Sequence, residues 1–185
     1  MAEAPEGLRY LPDFLTEEEE RVLAEEFSRL PYQEIRMHGV VARRTVVHYG
    51  WDYGYESWKI APTTAMPDFL RNVRARCAAA AGLEPSALEE VLVSRYPPGA
   101  GIGWHRDAPM FGPIVIGVSF LGAARMRFRR KVADTEGAYE LYALELAPRS
   151  AYILAGEARS QWQHTIPAVN AMRYSLSFRT IRSRR

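Results

Sequence analysis

The sequence predicts an α+β fold, with helices in the first half of the chain and short strands in the second. Apolar residues recur at helical spacing before residue 82, and after Leu88 the pattern changes to short β-prone runs separated by Gly and Pro. A length of 185 residues suits one domain. We therefore expect residues 1–185 to form a single domain, with a helical and lid-forming extension over 1–87 and a strand-rich core over 88–182.

Two helices are predicted in the extension. Thr16 and Glu19 have the spacing of a capping box, and the apolar residues that follow recur at helical spacing, so the first helix covers about residues 16–30. The second covers about residues 67–81, and Gly82 is placed to cap its C-terminus.

The core contains several β-prone runs. They are VLVSRY (91–96), IVIGVSFLG (114–122), ARMRFRR (124–130), YELYALEL (139–146), SAYILAG (150–156) and RYSLSFRTI (173–181). Short strands at regular spacing with Pro and Gly breaks indicate a sandwich, a jelly roll or a barrel.

Segment 36–60 is rich in aromatic residues set among glycines and charges, and they are Tyr49, Trp51, Tyr53, Tyr55 and Trp58. One buried strand face would explain their spacing. The glycines and the neighbouring His48 instead favour a covering loop or hairpin, which can stack a flat ligand. We favour the covering segment and take Trp51, Tyr53 and His48 as candidate substrate contacts.

Composition and charge exclude several classes of protein. Cys77 is the only cysteine, so intramolecular disulfides and thiolate-cluster metal sites are excluded. The formal net charge of +2 is too small to indicate nucleic-acid binding by itself. Apolar runs stay below the roughly 18 residues of a membrane span, and the N-terminus lacks the pattern of a secretory signal. We expect a cytoplasmic monomer with no membrane contact.

The sharpest local motif is Trp104-His105-Arg106-Asp107. Side chains two apart on an extended segment point to one face, so His105 and Asp107 can bind one ion. His164, which follows a predicted strand, can complete a triad of two imidazoles and a carboxylate that leaves three metal positions open. A His-x-Asp pair alone is common, with the Asp capping a turn and the His in a core. The C-terminal strand strengthens the metal interpretation.

That strand, RYSLSFR, carries Arg173 and Arg179 six residues apart. The even separation puts both on one face together with Ser175 and Ser177. Two arginines facing a β core carry a large desolvation cost unless an anion binds between them. A small dicarboxylate such as 2-oxoglutarate meets this need, because each guanidinium can bind a carboxylate through two hydrogen bonds. A solvent-facing edge strand is the weaker alternative, because Ser, Tyr and Phe dominate the segment.

The motifs SRYPPGAGIGWHRD, IVIGVSFLG, AGEARSQWQH and RYSLSFR, in this order, resemble those of the AlkB branch of the Fe(II)/2-oxoglutarate dioxygenases. The resemblance covers about residues 88–182, and earlier segments match more loosely. It implies a double-stranded β-helix (jelly-roll) core with the N-terminal helices packed on it and the aromatic segment as a lid. It also implies Fe(II) as the metal and 2-oxoglutarate as the co-substrate.

The resemblance implies two sets of site residues. The iron ligands would be His105, Asp107 and His164. The 2-oxoglutarate ligands would be Arg173 at the C5 carboxylate, Ser175 and Tyr96 beside it, and Arg179 near the C1 end. Ser94 stands where several family members have Asn, and its shorter side chain reaches less far towards the co-substrate.

The function that the resemblance implies is oxidative demethylation of alkylated nucleic-acid bases, either single-stranded or flipped. Arg125, Arg127 and Arg129 alternate along one predicted strand and can follow a phosphate backbone, so we take Arg125 and Arg127 as further substrate contacts. Pro109 stands where the bacterial namesake has an acidic residue that recognises the base.

Two other functions compete with this one. Hydroxylation or demethylation of a protein or a small molecule is the alternative enzyme function, because Pro109 removes a base contact. A non-catalytic binding module with a vestigial site is disfavoured, because competent residues occupy all five metal and oxo-acid positions.

Overall fold

The computed structural model describes residues 3–37, 40–53, 60–133, 135 and 137–182. Its α-helices are α1 (Glu17–Ser28), α2 (Arg71–Ala81) and α3 (Gly156–Ser160). Short 3-10 helices at Asp68–Leu70 and Pro85–Ala87 lie before and after α2. Among the described residues, no helix has the length and apolar character needed to cross a membrane.

The strands of the described residues are numbered in chain order. They are β1 (Leu8–Leu11), β2 (Gln33–Met37), β3 (Val40–Tyr49), β4 (Trp51–Tyr53), β5 (Ile60–Pro62), β6 (Glu90–Tyr96), β7 (Ile102–His105), β8 (Phe111–Leu121), β9 (Ala124–Lys131), β10 (Tyr139–Leu146), β11 (Ala151–Leu154), β12 (Gln163–Ile166) and β13 (Arg173–Ile181).

Two antiparallel sheets form the body of the protein. The larger has seven strands in the order β1-β11-β8-β13-β6-β3-β2, and the smaller has four in the order β10-β9-β12-β7. One apolar core contains residues from both sheets, including Val115 and Leu154 from the larger and Met126 and Phe128 from the smaller. From β6 onward the chain passes back and forth between the sheets, which is the path of a jelly roll. The predicted fold class is confirmed.

Helices α1 and α2 cover the outer face of the larger sheet. Phe27 of α1 and Cys77 of α2 share a buried cluster with Phe120 of β8 and Phe178 of β13. The rings of Phe27 and Phe120 meet edge to face, with centroids 5.0 Å apart. The other face of this sheet is left for the site.

Both predicted helices are confirmed, with small shifts in their ends. The hydroxyl of Thr16 accepts a hydrogen bond from the Glu19 amide at 3.1 Å, and the Glu19 carboxylate accepts one from the Thr16 amide at 2.8 Å. This capping box starts α1 at Glu17. Gly82 ends α2 with a φ of 69°, a left-handed conformation that suits glycine.

The segment before residue 88 contributes strands that the residue patterns did not indicate. Strands β1, β2 and β3 extend the larger sheet, and β3 pairs with β6 over residues 45–49. Within 36–60, β3 pairs antiparallel with β2 and is also part of the larger sheet, which the predicted covering segment did not include. Strands β4 and β5 form the predicted two-stranded hairpin, and its role as a cover over a ligand stays a prediction. Tyr55 and Trp58 lie outside the described residues.

Candidate metal and oxo-acid site

The side chains predicted as metal ligands come together between the two sheets. Strands β7 and β12 are neighbours, and His105 pairs directly with His164, their ring centroids 4.3 Å apart. Asp107 follows β7, and its Oδ2 lies 3.8 Å from Nε2 of His164. The distant histidine therefore lies beside the His-x-Asp motif.

One ring nitrogen of His105 faces a backbone carbonyl. Its Nδ1 lies 2.9 Å from the carbonyl oxygen of Gly103. When Nδ1 donates to that carbonyl, Nε2 carries the free lone pair that a metal requires. Nδ1 of the buried His164 has no hydrogen-bond partner among the described residues.

Electrostatics keeps the three groups in metal-binding protonation states. Burial, and after it the neighbouring His105, lower the pKa of His164 to about 3, while Asp107 opposes the shift. Burial also lowers the pKa of His105. Burial raises the pKa of Asp107, but Arg179 and then the two histidines outweigh that effect and bring it below its usual range. At neutral pH the site therefore offers two neutral imidazoles and one carboxylate.

Arg179 of β13 orients Asp107. Its Nε lies 2.8 Å from Oδ1, while Oδ2 is the oxygen beside His164. Within the described residues, no group of three or more His, Cys, Asp or Glu side chains is arranged closely enough to hold a cation as it stands. In residue type, His105, Asp107 and His164 match the facial set of two His and one carboxylate that binds non-haem Fe(II).

Arg173 is fully buried and only partly satisfied. Its Nη2 donates to the hydroxyl of Ser119 at 3.0 Å, and its guanidinium lies 5.0 Å from the centroid of the Tyr96 ring. Nε and Nη1 have no hydrogen-bond acceptor among the described residues. Buried donors without acceptors are costly, and a carboxylate can satisfy two of them at once. Arg173 therefore fits a carboxylate ligand such as one end of 2-oxoglutarate.

Small side chains line the sheet between the two arginines. Ser175 of β13 lies opposite Ser94 of β6 and Ser119 of β8, on the same face as Arg173. Ser94 accepts a hydrogen bond from Nη1 of the buried Arg44 at 3.1 Å. The predicted oxo-acid residues are thus on one face, and Arg44 is a neighbour that the sequence did not indicate.

Glu90 is a buried carboxylate that the sequence did not identify. Both of its oxygens lie 3.2 Å from Nη1 of Arg179, its direct partner across β6 and β13. Nδ1 of His48 lies 3.3 Å from Oε1 of Glu90. An acidic residue at the head of an apolar strand is the only sequence signal, because the pairing of β6 with β13 is not visible in the sequence.

Arg159 of α3 is another residue of the site that the sequence did not indicate. It holds the loop that carries Asp107. It donates to the carbonyl oxygens of Asp107 at 3.1 Å, Ala108 at 3.0 Å, and Phe111 and Gly112 at 3.3 and 3.2 Å. These bonds fix the backbone after β7 and use the donor-rich geometry of arginine.

The predicted substrate residues of the aromatic segment are spread over β3 and β4. Trp51 is half-buried at the start of β4, and Tyr53 is described through its backbone. His48 is buried, with Nε2 3.7 Å from Oδ1 of Asp52, and its other ring nitrogen faces Glu90. His48 therefore belongs to the wall behind Arg179.

Arg125 and Arg127 lie on the outer face of the smaller sheet. Phe128 faces inward, its ring centroid 6.1 Å from that of His164, so strand alternation turns Arg127 outward. Arg125 forms an exposed ion pair with Glu145 at 3.3 Å. These arginines can contact only parts of a substrate that lie outside the site.

Arg129, the third of the arginines that alternate along β9, is enclosed by other groups. Its Nε donates to Gln163 at 2.8 Å, and its guanidinium lies 4.5 Å from the Trp104 ring centroid and 4.8 Å from that of Tyr139. A cavity of about 370 Å³ opens on this outer face beside Trp104, Arg125 and Arg127. Arg125 and Arg127 therefore line a groove together with aromatic and aliphatic side chains, among them Tyr142 and Leu141.

Known proteins resemble the chain in both sequence and fold. The "Alkylated DNA repair protein ALKBH8 homolog" of Arabidopsis thaliana is 30% identical over 181 residues, covering 87% of this chain and 51% of the relative. The "Probable RNA/DNA demethylase ALKBH6" of Danio rerio is 28% identical over 134 residues, covering 72% of this chain and 55% of the relative. The chain spans about half the length of these two relatives.

Two solved structures share the fold. The structure of OsALKBH1 has a TM-score of 0.73 at 14% identity and covers 97% of this chain and 99% of its own. A Pseudomonas putida prolyl-4-hydroxylase has a TM-score of 0.64 at 16% identity, and the match covers 95% of this chain and 93% of the hydroxylase chain. The model of the 2OG-Fe(II) oxygenase superfamily matches residues 7–185. The chain therefore belongs to this superfamily as an AlkB-like member, and the family implies Fe(II) as its metal and 2-oxoglutarate as its co-substrate.

Proposed function

We propose that the protein is an Fe(II)- and 2-oxoglutarate-dependent dioxygenase that removes alkyl groups from nucleic-acid bases. The observation that carries the proposal is the fully buried Arg173, whose Nε and Nη1 have no acceptor among the described residues. It lies on the same sheet face as Arg179, whose Nε contacts the carboxylate of Asp107. A carboxylate bound at Arg173 would therefore lie on the same sheet face as the arginine that contacts Asp107.

The metal would be held by His105, Asp107 and His164. The neutral imidazoles present nitrogen lone pairs, and Asp107 presents Oδ2 while Arg179 occupies Oδ1. The carbonyl of Gly103 keeps the His105 ring in the required tautomer. No side chain has to change its protonation state at neutral pH.

The co-substrate would be held by Arg173 at its distal carboxylate and by Arg179 near its other end. Tyr96 lies under the Arg173 guanidinium and Ser175 beside it, while Ser94 remains bound to Arg44. The apolar core between the sheets excludes water and strengthens these charged contacts.

Iron held by His105, Asp107 and His164 would supply the oxidation of a C–H bond, in which dioxygen and 2-oxoglutarate yield succinate and carbon dioxide and one oxygen atom enters the substrate. On an N-methyl group the hydroxymethyl product releases formaldehyde and leaves the nitrogen with a proton. The protein binds and orients the reactants and keeps the site dry.

The nucleic-acid substrate is supported by two observations. The relatives from Arabidopsis thaliana and Danio rerio carry the names of an alkylated DNA repair protein homolog and a probable RNA/DNA demethylase. The outer groove also combines Trp104 with the cations Arg125 and Arg127, a combination suited to stacking a base beside a phosphate.

The test is a panel of single-stranded oligonucleotides, each with one N-methylated base, incubated with Fe(II), 2-oxoglutarate and dioxygen. We expect formaldehyde and succinate in equal amounts on at least one oligonucleotide, and neither product with Asp107→Ala. Succinate without formaldehyde across the panel, together with no oligonucleotide binding at low salt, would instead favour a protein or small-molecule hydroxylase.

A further inference from the structure

We propose that Glu90 is a positioning residue for the metal site. By binding one side of Arg179, it keeps that guanidinium from engaging both oxygens of Asp107 and so leaves Oδ2 available to a metal. The inference rests on the proposed function, because it takes Asp107 as a metal ligand.

The contacts place Arg179 between two carboxylates. Nε lies 2.8 Å from Oδ1 of Asp107, and Nη1 lies 3.2 Å from both oxygens of Glu90. All three side chains are buried, and that of Glu90 is 0% exposed. A buried carboxylate is retained at a large desolvation cost unless it is paired, so Glu90 and Arg179 hold one another in place.

Removing the charge of Glu90 leaves Asp107 as the one charged carboxylate of the two that contact Arg179. Arginine and carboxylate prefer a two-point pair in which two N–H groups meet two oxygens. With Glu90 neutral, Asp107 becomes the stronger attraction for Arg179, and the guanidinium shifts onto both Asp107 oxygens. A metal must then compete with Arg179 for Oδ2, the oxygen that faces His164.

His48 fixes the orientation of Glu90 from behind. Its Nδ1 lies 3.3 Å from Oε1, and its Nε2 lies 3.7 Å from the half-exposed Asp52 of β4. The side chains form a continuous line from the β4–β5 hairpin to the metal site. His48 thus has a place in the support of Arg179 that does not require contact with substrate.

The experiment measures metal affinity directly. Mn(II), an air-stable substitute for Fe(II), is titrated into metal-free protein, and free Mn(II) is followed by electron paramagnetic resonance. Glu90→Gln keeps the size of the side chain and removes its charge. We expect its Mn(II) affinity to fall on the order of 10- to 100-fold, the usual effect of disturbing the residue that holds a metal ligand in place, here Arg179. Glu90→Asp keeps the charge with a shorter reach, and we expect a smaller decrease.

Two controls separate positioning from general damage. Glu89→Gln makes the same chemical change at the exposed neighbouring residue, and we expect wild-type Mn(II) affinity. The affinity for N-oxalylglycine, a stable analogue of 2-oxoglutarate, is measured at saturating Mn(II). In Glu90→Gln it should weaken less than the Mn(II) affinity, because Arg173, which would hold the distal carboxylate, is unchanged.

Two results would overturn the positioning role of Glu90. Wild-type Mn(II) affinity in Glu90→Gln overturns the inference, and so does an equal decrease of Mn(II) and N-oxalylglycine affinity with a lower melting temperature. If Glu90→Gln does not fold, Glu90→Asp carries the same comparison. Asp107→Ala in the same titration tests the proposed function separately, since undiminished Mn(II) binding there refutes the metal site itself.

Discussion

His105 and His164 are direct partners across the antiparallel strands β7 and β12, with their ring centroids 4.3 Å apart. The chain between them passes through β8, β9, β10 and β11, so residues 59 positions apart (164 − 105) meet only because the jelly roll closes. Oδ2 of Asp107 lies 3.8 Å from Nε2 of His164, so the closing of the jelly roll also brings the three proposed metal ligands together.

Replacing any one of His105, Asp107 and His164 with Ala should abolish 2-oxoglutarate turnover, because two remaining ligands cannot hold the metal in a facial arrangement. Succinate formation is the measurement, and circular dichroism should confirm folded protein. His38→Ala is the control and should keep activity. The triad assignment is wrong if His38 or His48 is needed for iron binding and His164 is not.

Arg173→Ala should raise the 2-oxoglutarate requirement far more than Arg173→Lys. Lysine keeps a charge in the buried position, whereas alanine leaves the co-substrate carboxylate unpaired there. The decrease in binding free energy in Arg173→Ala should be about 2–5 kcal/mol. Titration of 2-oxoglutarate in the presence of metal measures it. Unchanged affinity in both variants would exclude Arg173 from the co-substrate site.

The buried histidines should make the metal-free protein lose stability in mild acid. The pKa of His164 is lowered from 6.5 to about 3, so between these values the unfolded chain binds a proton that the folded protein does not. The free energy of unfolding should therefore fall as pH decreases from 6.5, by up to about 1.4 kcal/mol per pH unit for one such group.

Urea unfolding at about pH 7, 5.5 and 4.5 measures this slope. Asp107 does not affect this slope. Its pKa is lowered from 3.8, so the stability that it contributes is lost only below that pH. His164→Gln, which takes up no proton, should give a shallower slope, with His105 accounting for part of the remainder. A slope equal to that of the wild type would contradict the buried neutral state of His164.

Gly117→Ala should destabilise the protein by about 1–3 kcal/mol, the usual cost of overpacking a filled interior. A Cβ atom at this position would lie 2.1 Å from Cζ of Tyr152, so the tyrosine ring would have to move. Gly103→Ala is the matched control, because a Cβ there meets no atom within 4 Å. Urea unfolding compares the two, and equal stability would show that Tyr152 does not pack on Gly117.

The outer groove and the aromatic hairpin should contribute to substrate binding in distinguishable ways. Neutralising Arg125 and Arg127 together should weaken oligonucleotide binding regardless of sequence. The salt dependence of binding should also decrease, by up to about one unit of slope for each phosphate that the protein no longer neutralises. Trp51→Ala should lower demethylation while sparing 2-oxoglutarate turnover without substrate, because removing a stacked aromatic ring costs about 1–3 kcal/mol per base.

Arg21→Gln, at an exposed position on α1, is the control for removal of positive charge. Oligonucleotide affinity that is absent at low salt, or indifferent to the paired arginine change, would end the nucleic-acid proposal. A lower melting temperature with an equal decrease of both activities in Trp51→Ala would show that Trp51 is a structural residue.

Residues close together in the chain account for the local elements and for the residue types that the candidate site contains. The Thr16–Glu19 capping box, the left-handed Gly82 and the alternation of Arg173 with Tyr174 each depend on residues close together in the chain. The His-x-Asp spacing and the six-residue separation of the arginines depend on strand periodicity, which is also local. These features could be predicted because a few neighbouring residues decide them.

The contacts between residues far apart in the chain follow from the fold as a whole. The membership of β3 in the larger sheet, the pairing of Glu90 with Arg179 and the bonds of Arg159 to the loop of Asp107 all depend on strand order and register. The outward direction of Arg125 and Arg127 depends on which face of the smaller sheet meets the core. Long-range pairing is selected by burial over the whole fold, so no short stretch of sequence contains it.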